Sequence, residues 1–141
     1  MNRIAAGLLV VLALAACSDS TEPADSVAGS YTATRAIVTD AGTPTDALAV
    51  GVTIHITLAE NGTTTGTVHI PGILSDSGDP EDQSLTGTWT ANEAGTQVTF
   101  DFDDVSDFAF EGTPWTVDGN TLNFSSSTGE GDSIEITLTK D

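Results

Sequence analysis

From Ala28 onward, apolar and polar residues alternate along the chain, and no segment has the 3.6-residue period of an amphipathic helix. The clearest example is VGVTIHITL at 50–58, where every second residue is apolar and glycine, threonine or histidine stands between. Successive side chains of a β-strand point to opposite faces, so this pattern predicts strands with one buried face. Threonine is abundant and turn residues recur regularly, which predicts an all-β domain.

Turn residues between the predicted strands favour particular hairpin registers. A three-residue loop ending in a left-handed Gly62 would pair Ala59 with Thr63 and place Val68 on the face of Ile54. A two-residue Asn-Gly loop would turn Val68 outward, because a shift of one residue exchanges the two faces of a strand. The apolar pattern therefore favours the three-residue loop.

Two further hairpins and a terminal strand continue the pattern. A four-residue loop at 92–95 would oppose Trp89 to Val98 and keep Phe100 and Phe102 inward. The turn at 118–120 and the last strand predict a further inward set, Trp115, Val117, Leu122, Phe124, Ile134, Ile136 and Leu138.

Eight to ten short strands, joined mainly by hairpins, follow from this pattern. Such a chain can form a sandwich or close on itself as a barrel. Closure removes exposed strand edges, and a chain without helices has little else to cover them. We therefore predict a single antiparallel up-and-down β-barrel over 28–141, with its longest connections at 39–49 and 71–84.

The N-terminal segment differs from the rest. Residues 1–16 have the charge and apolar run of an export signal peptide, and the only cysteine of the chain, Cys17, follows directly. LAAC at 14–17 resembles the lipobox of bacterial lipoproteins. The resemblance implies a diacylglyceryl group on the Cys17 sulfur, cleavage just before Cys17 and acylation of the new N-terminus with chains such as palmitate. The protein would then be anchored to a membrane of the cell envelope. The alternative is an ordinary signal peptide that precedes a free cysteine.

By the same resemblance, Ser18 favours the outer membrane if the host has one. Residues 17–27 are polar and contain proline, so we expect a flexible tether there.

The domain itself shows motifs such as GSYTATRAIVTD, ITLAENGTTTGTV, GTWTANEAGTQVTF and PWTVDGNTLNF. With these, the chain resembles the small bacterial lipocalin-like lipoproteins. The resemblance implies an eight-stranded calyx that holds a small hydrophobic ligand. Tyr31 stands where the family has a tryptophan. Lipocalins pack a basic side chain over that ring, and late in this chain only Lys140 is basic, a role that the sequence alone does not assign to it.

The calyx hypothesis names a set of inward residues as ligand-binding candidates. Arg35 has the strand parity of Tyr31, so it can point inward and bind a carboxylate, or it can pair with a nearby acid at the rim. The aromatic rings can line a cavity or fill the barrel, because eight strands leave room only for side chains or one small ligand. The candidates are Tyr31, Arg35, Val52, Ile54, Ile56, Val68, Trp89, Phe100, Phe124 and Ile136.

The formal charge of −18 on 141 residues narrows the choice of partners. It repels nucleic-acid phosphates and anionic lipid headgroups. The acidic side chains on the surface can keep the protein soluble or bind cations weakly. They form clusters at 76–82 and 101–107. Neither cluster has the pattern of a calcium-binding loop. His55 and His69 fall on the outer face without an evident third ligand, so we predict no metal site.

The motifs of common catalytic sites are missing: the chain has no G-x-S-x-G, no H-E-x-x-H and no glycine-rich phosphate loop. We expect a protein that is not an enzyme and has no cofactor. Three hypotheses follow: a carrier of a small hydrophobic molecule, a structural or protein-interaction module with a filled core, and a weak cation-binding surface.

Overall fold

The computed structural model describes residues 23–75, 77–103, 112–127 and 130–141. Within these ranges the chain forms one short helix and ten strands, which confirms the all-β prediction. The signal peptide, Cys17 and parts of both acidic clusters lie outside the described residues. The elements are α1 (Pro23–Val27), β1 (Gly29–Asp40), β2 (Thr43–Asp46), β3 (Thr53–Leu58), β4 (Thr63–Ile70), β5 (Glu81–Ser84), β6 (Gly87–Ala91), β7 (Gln97–Phe102), β8 (Trp115–Asp118), β9 (Thr121–Ser127) and β10 (Ser133–Lys140).

Eight of these strands close into an antiparallel barrel. Each barrel strand pairs with the next along the chain, in the order β1-β3-β4-β6-β7-β8-β9-β10, and β10 returns to pair with β1. The two other strands lie outside the barrel, with β2 paired to β1 and β5 paired to β4. The predicted up-and-down barrel is therefore confirmed.

The two ends of the barrel differ. At one end, here called the closed end, the short connections 59–62, 92–96 and 119–120 join the strands, and α1 leads into β1. The connections at the other end, here called the loop end, are 41–52, 71–86, 103–114 and 128–132. Successive antiparallel strands alternate in direction, so these two sets of connections are separated by the length of the barrel.

The β3–β4 hairpin has the predicted register. The Ala59 amide donates to the Thr63 carbonyl at 2.9 Å, and Gly62 has a φ of 82°, which glycine adopts without a side-chain clash. Ile54 lies opposite Val68, and both side chains are buried. The turn and the alternation of apolar residues therefore favour the same pairing.

The predicted pairing of the β6–β7 hairpin is wrong by two residues. Trp89 lies opposite Phe100 rather than Val98. The cause is Asn92, whose Oδ1 accepts hydrogen bonds from the amides of Thr96 at 2.8 Å and Gln97 at 3.1 Å and so moves the turn. A shift of two residues keeps every side chain on its face, and Phe100 is buried as predicted.

In β1 the side-chain alternation changes at a β-bulge. The register with β10 shifts between Ala33 and Arg35, so Thr34 is an extra residue in this strand. As a result Ala36 is buried, and Arg35 lies on the outer wall with more than half of its side chain exposed. The inward orientation considered for Arg35 is therefore wrong.

The ordered domain begins earlier than residue 28. Val27, in the segment expected to be a tether, is buried in the core. Its carbonyl accepts a hydrogen bond of 2.6 Å from the Tyr31 hydroxyl. The segment of α1 therefore packs against the barrel at the closed end.

Candidate functional site: the barrel interior and the loop end

Most of the candidate ligand-binding residues lie together inside the barrel. Val52 is only partly buried, although it packs against the same core, and Arg35 is outside. Arg35 Nη2 lies 2.8 Å from Glu135 Oε2 on β10, so this arginine pairs with an acid, as the alternative interpretation had it. The buried candidates are Tyr31, Ile54, Ile56, Val68, Trp89, Phe100, Phe124 and Ile136.

Aromatic rings occupy much of the interior. Phe100 stacks on Phe102 with the ring centres 5.5 Å apart, and meets Trp115 edge to face at 5.7 Å. Trp115 in turn lies 5.2 Å from Phe124. These separations are those of rings in direct contact. Together with the aliphatic side chains around them, they form a packed core across β7, β8 and β9.

One depression lies on the outer wall of the barrel, over β6 and β7. It measures about 320 Å³ and is bordered by Thr88, Thr90, Thr99 and Asp101 on β6 and β7. The threonine and aspartate side chains there alternate with the inward Trp89 and Phe100. Trp89, Phe100 and Gly112 also line this depression.

A cation lies over Tyr31 at the closed end. Lys140 Nζ is 6.0 Å from the centre of the Tyr31 ring, within the range of a cation–π interaction, and donates to the Ser26 carbonyl at 3.3 Å. Burial raises the pKa of Tyr31, so the neutral hydroxyl is kept as a donor. The resemblance to lipocalins implies a basic side chain in this position, which the sequence alone did not assign.

Both histidines are on the outer wall, as predicted. His55 Nδ1 lies 3.0 Å from the Thr32 hydroxyl, which donates to Asp141 Oδ1 at 2.9 Å. His69 Nδ1 lies 2.7 Å from Asp82 Oδ1 and joins β4 to β5. In the part of the chain that the structure describes, no three His, Cys, Asp or Glu side chains are grouped to hold a metal ion.

The loop end exposes apolar side chains that the sequence analysis missed. Ile73 is 81% exposed and Leu74 45%, and Val50 is exposed on the neighbouring connection. We call these three residues the loop-end patch. Their signal in the sequence is PGIL, an apolar pair in an acidic loop without the alternation of a strand.

Hydrogen bonds hold the loop that carries Ile73 and Leu74. The Leu74 amide donates to the Pro71 carbonyl at 2.8 Å, and the hydroxyls of Ser75 and Ser77 donate to Glu81 Oε1. These two bonds lower the pKa of Glu81. A lowered carboxyl pKa stabilises the folded loop above the ordinary pKa, and this contribution is lost as the pH falls through the lowered value.

Charge is distributed unevenly between the ends. Asp46, Asp79 and Asp82 are exposed on the two connections that carry the loop-end patch. Of the basic residues in the described chain, Arg35 is paired with Glu135 on the wall and Lys140 lies at the closed end. The loop end therefore combines exposed apolar side chains with acidic surroundings.

Comparison of the chain with protein-family models, with curated proteins and with solved structures found no match in any of the three. No helix in the described ranges has the length and apolar character needed to cross a bilayer. The basis for a function is therefore the barrel itself, its packed aromatic core and its two unlike ends.

Proposed function

We propose that this chain is a lipid-anchored, non-enzymatic protein of the bacterial cell envelope, in which a filled barrel carries a protein-interaction surface at its loop end. The observation that carries the proposal is the asymmetry of the barrel. The chain enters at the closed end through α1, whereas the long connections and the loop-end patch are at the opposite end. An anchor at the N-terminus would leave the loop end facing away from the membrane.

The length of the tether supports this arrangement. Five residues, 18–22, separate the proposed acylated cysteine from Pro23 at the start of α1. Such a segment spans at most about 20 Å when extended, since each residue adds about 3.5 Å. Several acyl chains on Cys17 would anchor the protein firmly, whereas one chain gives marginal binding. The closed end would then stay near the bilayer, and the acidic barrel would stand in water.

Replacement of Cys17 by serine tests the anchor. In a bacterial host fed alkyne-labelled palmitate, we expect the wild-type chain to take up label and to sediment with membranes. Cys17→Ser should lose nearly all of the label, because the sulfur that accepts the lipid is gone, and it should leave the membrane fraction. Ser18→Ala is the matched control and should keep both properties. Equal labelling of wild type and Cys17→Ser would contradict the proposal.

A second candidate is the carriage of a small hydrophobic molecule. It is favoured by Lys140 over Tyr31, since this pairing is the feature that the lipocalin resemblance implies at the closed end. Native mass spectrometry of the chain purified in mild detergent would show a copurified lipid if the barrel is a carrier. With the packed core we expect no bound molecule and no uptake of a fluorescent fatty acid. A stoichiometric ligand would favour the carrier instead.

A further inference from the structure

We propose that the loop-end patch is the docking site for a cationic protein partner, which receives Ile73 and Leu74 in an apolar recess. The inference rests on the proposed function, because it names the partner class of the surface that the barrel carries. Four observations support it: the position of the exposed apolar residues, their proximity to one another, the order of the loop, and the charge around it.

In the described ranges, exposed large hydrophobic side chains are confined to one half of the barrel. Among the described residues, the large hydrophobic side chains that are exposed are Val38, Val50, Ile73 and Leu74. Val38 lies near the end of β1, and the other three are in connections of the loop end. Single exposed hydrophobic residues are common on protein surfaces, but a group at one end indicates an interaction site.

The two connections that carry the patch lie side by side. Thr53 at the start of β3 pairs with His69 near the end of β4, so the chain enters and leaves this hairpin at the same place. Beyond it, a Cβ at Gly51 would be in van der Waals contact with Pro71, 3.6 Å from its Cγ. Val50 and Ile73 therefore belong to adjoining loops, and one partner surface can cover both.

Hydrogen bonds already join the described residues of this loop before any partner binds. Its turn is closed by the Leu74–Pro71 hydrogen bond, and Glu81 fixes Ser75 and Ser77. A loop that is ordered in the free protein loses little conformational entropy on binding. Burial of Ile73 then contributes directly to affinity, because removal of apolar surface from water favours association.

The charges select the occupant. Asp46, Asp79 and Asp82 are exposed on the two connections that carry the patch. Asp82 lies 2.7 Å from His69, and neither Arg35 nor Lys140 lies at this end. A second copy of the chain would bring the same acids together, and an anionic membrane surface would be repelled. A protein surface rich in lysine or arginine is attracted by the negative potential of these acids. The same attraction orients the partner toward the patch.

The test uses a defined probe, a fluorescein-labelled amphipathic peptide of leucine and lysine. The full chain is held in a neutral detergent, and affinity is measured by fluorescence anisotropy at physiological salt, where charges act over about 8 Å. Replacing both Ile73 and Leu74 by serine should weaken binding about tenfold, as expected for anchoring residues. Asp79→Asn should weaken it about threefold through the loss of a rim charge. Glu93→Gln removes one exposed acid at the closed end and should change nothing.

Several results would overturn the proposal. The double serine variant could bind within twofold of wild type, or Glu93→Gln could weaken binding as much as Asp79→Asn, which would indicate a diffuse attraction to an acidic protein. The proposal would also fail if a peptide of leucine and glutamine bound as tightly as the peptide of leucine and lysine, because the charge of the partner would then not matter. If wild type sediments as a dimer and the serine variant does not, the patch binds a second copy of the chain. If the serine variant loses binding to phosphatidylglycerol vesicles, the patch binds a membrane. Cys17→Ser should keep peptide binding, so failure of the anchor and failure of the docking site are distinguishable.

Discussion

Gly87→Ala is expected to lower the free energy of unfolding by about 3 kcal/mol, because the added methyl group has no space between two backbones. Gly87 is buried at the start of β6 and pairs with Phe102 of β7 and with Thr64 of β4. A Cβ at Gly87 would overlap the Asp101 carbonyl oxygen and would lie 2.8 Å from the Phe102 Cα. Both are main-chain atoms of a barrel strand, so relief requires a shift of β7 itself.

Urea denaturation followed by tryptophan fluorescence measures this loss. Gly42→Ala is the matched control, since Gly42 has a φ of 80° and no atom within 4 Å of the added Cβ. For Gly42→Ala we expect a loss of about 1 kcal/mol in the free energy of unfolding, which comes from the left-handed backbone alone. If Gly87→Ala proves no more destabilising than Gly42→Ala, β6 and β7 do not approach as closely as the structure has them.

The local hairpins of this barrel could be predicted because their information lies within a few residues. In the β3–β4 hairpin, Gly62 supplies the left-handed turn and the alternation around Ile54 selects the same register. In the β6–β7 hairpin, the side chain of Asn92 redirected the turn. The apolar alternation on both strands still placed Phe100 correctly, because it does not depend on the turn.

Features that depend on distant strands could not be predicted. The bulge at Thr34 exists in the ladder between β1 and β10, about one hundred residues apart in the chain, and nothing near Thr34 in the sequence marks it. It reverses the orientation of Arg35, the candidate ligand of a carboxylate. The position of Lys140 over Tyr31 arises from the same ladder, since these two residues are paired across it.

The candidate sites show the same division. The inward residues follow from strand alternation, and most of them were predicted individually. The loop-end patch has no periodicity, because Ile73 and Leu74 are adjacent in a turn rather than alternate in a strand. Its proximity to Val50 depends on the packing of two connections, and such packing follows from the closed barrel rather than from either loop.

Phe100→Ala is the substitution that separates a filled barrel from a hollow one. Phe100 is 1% exposed and contacts the rings of Phe102 and Trp115. In a packed core, deletion of the ring leaves a cavity, and the expected loss in the free energy of unfolding is about 4 kcal/mol. Thr90→Ala, on the outer face of the neighbouring β6, is the matched control and should cost less than about 0.5 kcal/mol. Both variants are measured by urea denaturation, with equal slopes required for a valid comparison. A loss below about 1.5 kcal/mol for Phe100→Ala would mean that its ring borders open space, and the barrel would then have room for the small hydrophobic ligand that a carrier requires.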